Sequence, residues 1–278
     1  PPRLVLAPID VAAPVADTLL SGTAAVLTSA TLALGGSFDP MARTLGLTLS
    51  EDPWEGLDVG TPFDYSRQGI LYTPTHLPRP AAGISEAALD EILALTEASG
   101  GGVLGLFSSR RAAQEAAEVL RGATDLTVYA QGEDQLPTLV EAFTREEDSC
   151  LVGSLSLWQG VDVPGHTCRL VIIDRIPFPR PDDPVAQARI EAVTAAGGNG
   201  FMSVAATHAA LLLAQGAGRL VRRAGDRGVV AVLDPRLRTA RYGAFLARSM
   251  PPLWPTRERG VVLGALARLA ARQPGPSS

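Results

Sequence analysis

Gln215, Arg219 and Arg222 follow one another at spacings of four and three at the end of the apolar run Ala209-Ala-Leu-Leu-Leu-Ala214, and Arg223 comes next. On a helix, positions i, i+4 and i+7 share a face. The spacing therefore predicts a helix that lines up one amide and two guanidinium groups. A guanidinium is a planar fork of donors that matches oxyanion geometry and keeps its charge at any ordinary pH. The chemistry that suits this set is the gripping of a phosphate group. An ordinary helix with solvated arginines would carry the same residues, so both uses stand on this stretch alone.

Three further segments hold groups with related chemistry. Residues 26–32 read Val-Leu-Thr-Ser-Ala-Thr-Leu and bring the hydroxyls of Thr28, Ser29 and Thr31 to the end of a predicted strand. Residues 103–111 read Val-Leu-Gly-Leu-Phe-Ser-Ser-Arg-Arg and place Ser108, Ser109 and Arg110 where an apolar run gives way to a helical pattern. Amides and hydroxyls at a helix start bind phosphate, and the same serines serve as N-caps. Residues 157–165 read Leu-Trp-Gln-Gly-Val-Asp-Val-Pro-Gly. Here Gly160 and Asp162 sit on a loop, and Trp158 is suited either to stacking on a base or to wedging against a sheet.

In this order, with Gln215 to Arg222 as the last, the four segments resemble motifs III, IV, V and VI of superfamily 2 helicases, and most of all the XPD/DinG branch. The stretches 171–184 and 226–236 are similar to that family's C-terminal lobe, and the likeness runs from about residue 3 to about residue 255. The resemblance implies an ATP-dependent DNA helicase of 5′→3′ polarity, serving DNA repair or replication, with ATP and Mg2+ as cofactors and single-stranded or forked DNA as partner. It implies that Thr28, Ser29 and Thr31 link the nucleotide site to the DNA path. Ser108, Ser109, Arg110 and Trp158 would hold the strand. Gly160 and Asp162 would lie on the nucleotide side. Gln215 and Arg219 would approach the γ-phosphate, with Arg222 as the arginine finger. At Gln159 the family more often has Glu, and the missing charge weakens any charge-pairing role there.

Composition narrows what part of such a motor this is. All 24 basic residues are arginine. A Walker A loop needs a lysine to reach the phosphates, so this chain holds none, and no Walker B run is present either. With only Cys150 and Cys168, the chain also lacks the ligands of a four-cysteine iron–sulfur cluster, which many members of the branch carry in the first lobe. The expectation is half a motor: the second lobe with a remnant of the first. ATP and Mg2+ would be held mainly by an N-terminal lobe supplied in cis or in trans, and turnover by this chain alone would be negligible. A start at Pro1, without Met, fits a piece of a longer protein. The competing uses are a non-catalytic nucleic-acid-binding module and a subunit that completes a split motor.

Charge is uneven. Residues 1–200 carry 12 Arg against 26 acids, or −14, and residues 201–278 carry 12 Arg against 3 acids, or +9, summing to −5. Nucleic acid would therefore be met by local groups and not by bulk charge. Both cysteines fall on predicted strands, where they act as small hydrophobes. His76, His166 and His208 lack metal-ligand spacing. No signal peptide or membrane span is evident, and a reducing cytoplasm fits the cysteine usage.

The elements that must position these groups read as an α/β fold, a RecA-like three-layer parallel sheet (motor lobe 2) with an N-terminal remnant of lobe 1. Predicted strands cover 4–7, 25–28, 70–73, 103–107, 126–129, 151–153, 170–174 and 229–233, with helices over 86–98, 110–120, 136–143 and 183–196. Several strands are continuous Val/Ile/Leu runs, as in sheets covered on both faces. Residues 1–60 are expected as the remnant with motif III, 61–265 as the lobe and 266–278 as a flexible tail. The remnant should leave an apolar edge unpaired.

Overall fold

The computed structural model describes residues 6–50, 53–154, 157 and 168–271. The chain divides into two units. One comprises Pro1–Gly60, Pro177–Leu211 and Ala244–Ser249, and the other Thr61–Ile176, Leu212–Gly243 and Met250–Ser278. The stretch expected as one lobe thus lends two segments to the first unit.

The larger unit is built on seven strands: β1 (Gly69–Tyr72), β2 (Val103–Leu106), β3 (Thr127–Ala130), β4 (Ser149–Gly153), β5 (Leu170–Ile173), β6 (Gly228–Val232) and β7 (Trp254–Thr256). Their order across the sheet is β3-β4-β2-β5-β6-β1-β7, and every pairing is parallel. The longer described helices of the chain are α1 (Glu86–Ser99), α2 (Arg110–Ala123), α3 (Leu136–Arg145), α4 (Pro184–Ala195), α5 (Thr207–Ala217) and α6 (Arg259–Ala270), of which α4 belongs to the smaller unit. One alternation of sheet residues (Val103, Cys150, Leu170, Val229) packs with α1, α2 and α6 through Ile92, Ala116, Leu120 and Val262. The other alternation (Leu104, Leu151, Val171, Val230) is equally buried. Burial on both faces is why these strands read as unbroken apolar runs. This is the expected RecA-like layered parallel sheet.

The smaller unit is mostly short helical turns and irregular chain. Asp39–Thr44 forms a short helix, and Ala12, Leu34 and Ala42 are buried. Helix α4 starts where its sequence says it should: Asp183 accepts from the amides of Val185 and Ala186 at 3.0 and 3.1 Å, and Pro184 opens the first turn.

Two expectations about elements are corrected, and a third falls partly outside the described residues. No strand forms over 25–28, which is exposed irregular chain. A strand needs a neighbour for its backbone groups, and none pairs with this segment among the described residues. Of the strand expected over 4–7, only residues 6 and 7 are described, and neither is in a strand. The tail begins later than expected: α6 runs to Ala270 and buries Leu266 against the sheet. Strand β7 went unpredicted because Trp254-Pro-Thr256 is short and contains a proline; it lies at the sheet edge, where proline is tolerated.

Candidate functional site

Helix α5 carries the apolar run, with Ala209, Ala210, Leu212 and Leu213 buried. It ends at Ala217, two residues before Arg219, so the single helical face expected for Gln215, Arg219 and Arg222 does not form. The chain leaves the helix through tight turns, Arg219 N–H donating to Gly216 O at 3.1 Å and Leu220 N–H to Ala217 O at 3.2 Å. The reason is packing. Leu220 and Val221 are both buried, and the turns after Ala217 carry both side chains into the core.

Leu220 fits a socket made by absence. Gly69 and Gly228 are register partners at the amino ends of β1 and β6. A methyl group on Gly228 would come within 2.6 Å of Leu220 Cδ1, and one on Gly69 within 3.1 Å of Leu220 Cδ2. Two paired glycines therefore let a leucine plug the sheet edge, and the plug fixes where the arginines leave the core.

The loop beyond is held by two side chains far apart in sequence. One oxygen of the buried Asp226 accepts from the amides of Arg222 and Arg223, at 2.8 and 2.7 Å. Gln68, also buried, directs Nε2 at the carbonyls of Arg223, Ala224 and Asp226, at 3.1, 3.2 and 3.3 Å. Arg227 adds donations to Ala224 O at 3.0 Å and Asp226 O at 2.7 Å. Gln215, Arg219 and Arg222 are all half-buried. Burial holds the Arg219 guanidinium below the ordinary arginine value, and it keeps its charge at neutral pH. Gln215 Oε1 is buried with no hydrogen-bond partner among the described residues. A buried amide oxygen of this kind costs free energy unless a donor reaches it. Such a set fits one end of a phosphate chain and a donor beside it.

The serines lie at the other end of the sheet. Ser108 and Ser109 follow the carboxyl end of β2, whereas the arginine loop precedes the amino end of β6. Strands of this length span about 13–17 Å, so the two groups occupy opposite edges. Ser108 N–H and Oγ–H both donate to the buried Asp174, at 2.9 and 2.8 Å. The only hydroxyl proton of Ser108 is thus committed to a carboxylate. Burial raises the Asp174 carboxyl above its ordinary value, and the Ser108 bonds oppose this. Ser109 caps α2, Oγ accepting from Ala112 N–H at 3.1 Å, and keeps its own proton. Arg110 is exposed beside it.

Thr28 and Ser29 are exposed and Thr31 is half-buried. Ser29 Oγ lies 3.2 Å from Thr31 Oγ1 and accepts from Thr31 N–H at 3.2 Å. Trp158, Gln159, Gly160 and Asp162 lie outside the described residues. Among the described residues, no three His, Cys, Asp or Glu side chains gather to hold a metal ion. Cys150 and Cys168 are buried free thiols, each pushed up to about 12 by burial. No described helix is long and apolar enough to cross a membrane.

Residues 92–253 match the model of the helicase C-terminal domain. The chain belongs to the helicase C-terminal domain family. The matched span holds the serine segment, the arginine loop and its Asp226 brace. The chain is 57% identical to the ATP-dependent helicase DinG of Mycobacterium tuberculosis over 96% of its own length and 40% of that protein. It is 38% identical to the ATP-dependent DNA helicase YoaA of Escherichia coli, over 84% of this chain and 36% of the relative. A 3'-5' exonuclease DinG of Bacillus subtilis is 32% identical over 81% of this chain and 25% of its own length. This helicase C-terminal domain therefore spans at most 40% of these curated relatives.

The supports of the arginine loop were not found in the sequence. Asp226 left a faint signal, being one of three acids after residue 200 and close behind a pair of arginines. Gln68 left none: it lies 155 residues from the carbonyl of Arg223, and only the pairing of β1 with β6 joins them.

Proposed function

We propose that this chain is the second motor lobe of an ATP-dependent DNA helicase, supplying the arginine finger and half of the path for a single strand. The observation that carries the reading is the arginine loop. A half-buried amide in the last turn of α5 is followed by two half-buried guanidiniums on a loop plugged by Leu220 and braced by Gln68 and Asp226. A loop held this rigidly suits donors that must meet charge as it builds, because preorganised dipoles need no rearrangement at the moment of reaction. The names of the relatives, ATP-dependent helicases, support the same reading.

ATP with Mg2+, held mainly by a first lobe in cis or in trans, would supply the phosphoryl group whose transfer to water drives movement. In this chain, Arg222 would stabilise charge on the transferring group, Arg219 would hold the terminal phosphate, and Gln215 would accept a hydrogen bond from a water nearby. Gly160 and Asp162 would add contacts on the nucleotide side. At the carboxyl edge, Ser109 and Arg110 would hold the backbone of single-stranded or forked DNA without reading sequence, and Ser108 would instead set the position of the segment through Asp174. Trp158 would stack on a base, and Thr28, Ser29 and Thr31 would link the two paths. A cytoplasmic place in DNA repair or replication follows from this reading.

The test uses the longer protein. Arg222→Ala is expected to lower DNA-stimulated ATP hydrolysis by on the order of 10³-fold or more, with nucleotide affinity little changed. Undiminished hydrolysis in that variant would remove the finger assignment.

A further inference from the structure

A second basic site lies beside the arginine loop and does not include it. A cleft of about 300 Å³ opens at the amino edge of β1, β6 and β7, lined among others by Arg67, Gln68, Arg227, Trp254, Arg268 and Leu269. None of Gln215, Arg219 or Arg222 lines it. Its three guanidiniums come from three elements: the turn Tyr65–Gln68, the loop before β6, and the last turns of α6. All three arginines are exposed. The lining contains no carboxylate, and no acid among the described residues forms an ion pair with them. Concentrating three like charges around one concavity costs energy unless an anion shares it.

The fourth feature is aromatic. Trp254 stands on the edge strand β7, opposite Ile70, and is 46% exposed. An indole face next to guanidinium forks matches one ligand chemistry well: a flat base with a phosphate on either side. The base stacks on the ring and the forks take the phosphates. The volume is at the lower end for a small-molecule site, enough for one nucleotide unit and too small for a duplex. Arginines on separate rims, all open to solvent, favour a unit within a strand, since phosphates on both sides of the base are then within reach.

We propose that this cleft holds one nucleotide of single-stranded DNA, at a site separate from both the arginine loop and the serine segment. Occupancy would also bear on the loop. Gln68 lines the cleft and holds the carbonyls of residues 223, 224 and 226, and Arg227 does the same for two of them.

The test needs no nucleotide hydrolysis, so its outcome is independent of the Arg222→Ala experiment. The 278-residue chain is titrated with a thymidine 12-mer at low salt, following tryptophan emission. Trp54 and Trp158 also emit, and Trp158 is itself proposed to stack on a base, so the share of the quench that belongs to Trp254 is the part lost in Trp254→Leu. The pair Arg67→Gln with Arg268→Gln is expected to weaken binding by on the order of tenfold and to reduce the salt slope by about 1.4. Circular dichroism of each variant should match the parent, since the changed side chains are exposed. Unchanged quenching in Trp254→Leu, or unchanged affinity and salt slope in the arginine pair, would overturn the site. Thymidine monophosphate binding as tightly as the 12-mer would overturn the strand assignment, and equal binding of poly-glutamate would overturn the nucleotide.

Discussion

Asp226 does for the arginine loop what a helix would have done had the arginines stayed on one. Both of its close bonds use a single oxygen, to the amides of Arg222 and Arg223. Asp226→Ala strands two amide donors in a part-buried site. Each such loss costs about 1–3 kcal/mol, so urea unfolding should show a destabilisation on the order of 3 kcal/mol. Asp226→Asn keeps an oxygen in the same place and should recover most of the loss. If the alanine variant unfolds at the parent's midpoint, the brace is not what holds the loop. The same residue shows why the site was half legible. The chemistry of Gln215, Arg219 and Arg222 could be read from their types and spacing. The geometry could not, because it depends on Leu220 entering a glycine socket whose halves lie 159 positions apart (Gly69 and Gly228).

At the scale of elements, the helices and inner strands of the larger unit were readable because each sits under a local rule. Helix α2 begins at the capping serine and keeps its small apolar face, Ala112, Ala113, Ala116, Ala117 and Leu120, on the sheet. The misses came where pairing decides the outcome and sequence does not. Residues 25–28 have a strand's composition and no partner among the described residues, and β7 has a partner and no strand's composition. Ser108 and Ser109 separate two uses of one residue type. Ser109→Ala removes the cap of α2 and should cost about 1 kcal/mol, and Ser109→Gly only a few tenths. Thermal unfolding of the chain measures both. An alanine variant that unfolds at the parent's midpoint would mean that the Ala112 bond does not stabilise α2.

The molecule as a whole leaves apolar surface where a soluble chain would not choose to. In the smaller unit, Leu6 is fully exposed, Val26 and Val59 are 89% and 87% exposed, and Leu57 is 80% exposed. Single exposed hydrophobics are ordinary. Several on one small unit with a thin core are surface that a missing first lobe would cover, in line with the proposed remnant. Burying apolar area is worth roughly 25 cal/mol per Å², so copies of the isolated chain should cover these residues with one another. Sedimentation at rising protein concentration is expected to show reversible self-association. Val26→Ser, Leu57→Ser and Val59→Ser together should shift the chain to monomer. The unfolding midpoint should hold, because none of the three side chains is part of a core. A chain that stays monomeric at high concentration without these changes would show that the exposed residues form no sticky face. Association that survives the triple change would place the contact elsewhere, with the basic cleft around Trp254 the next surface to alter.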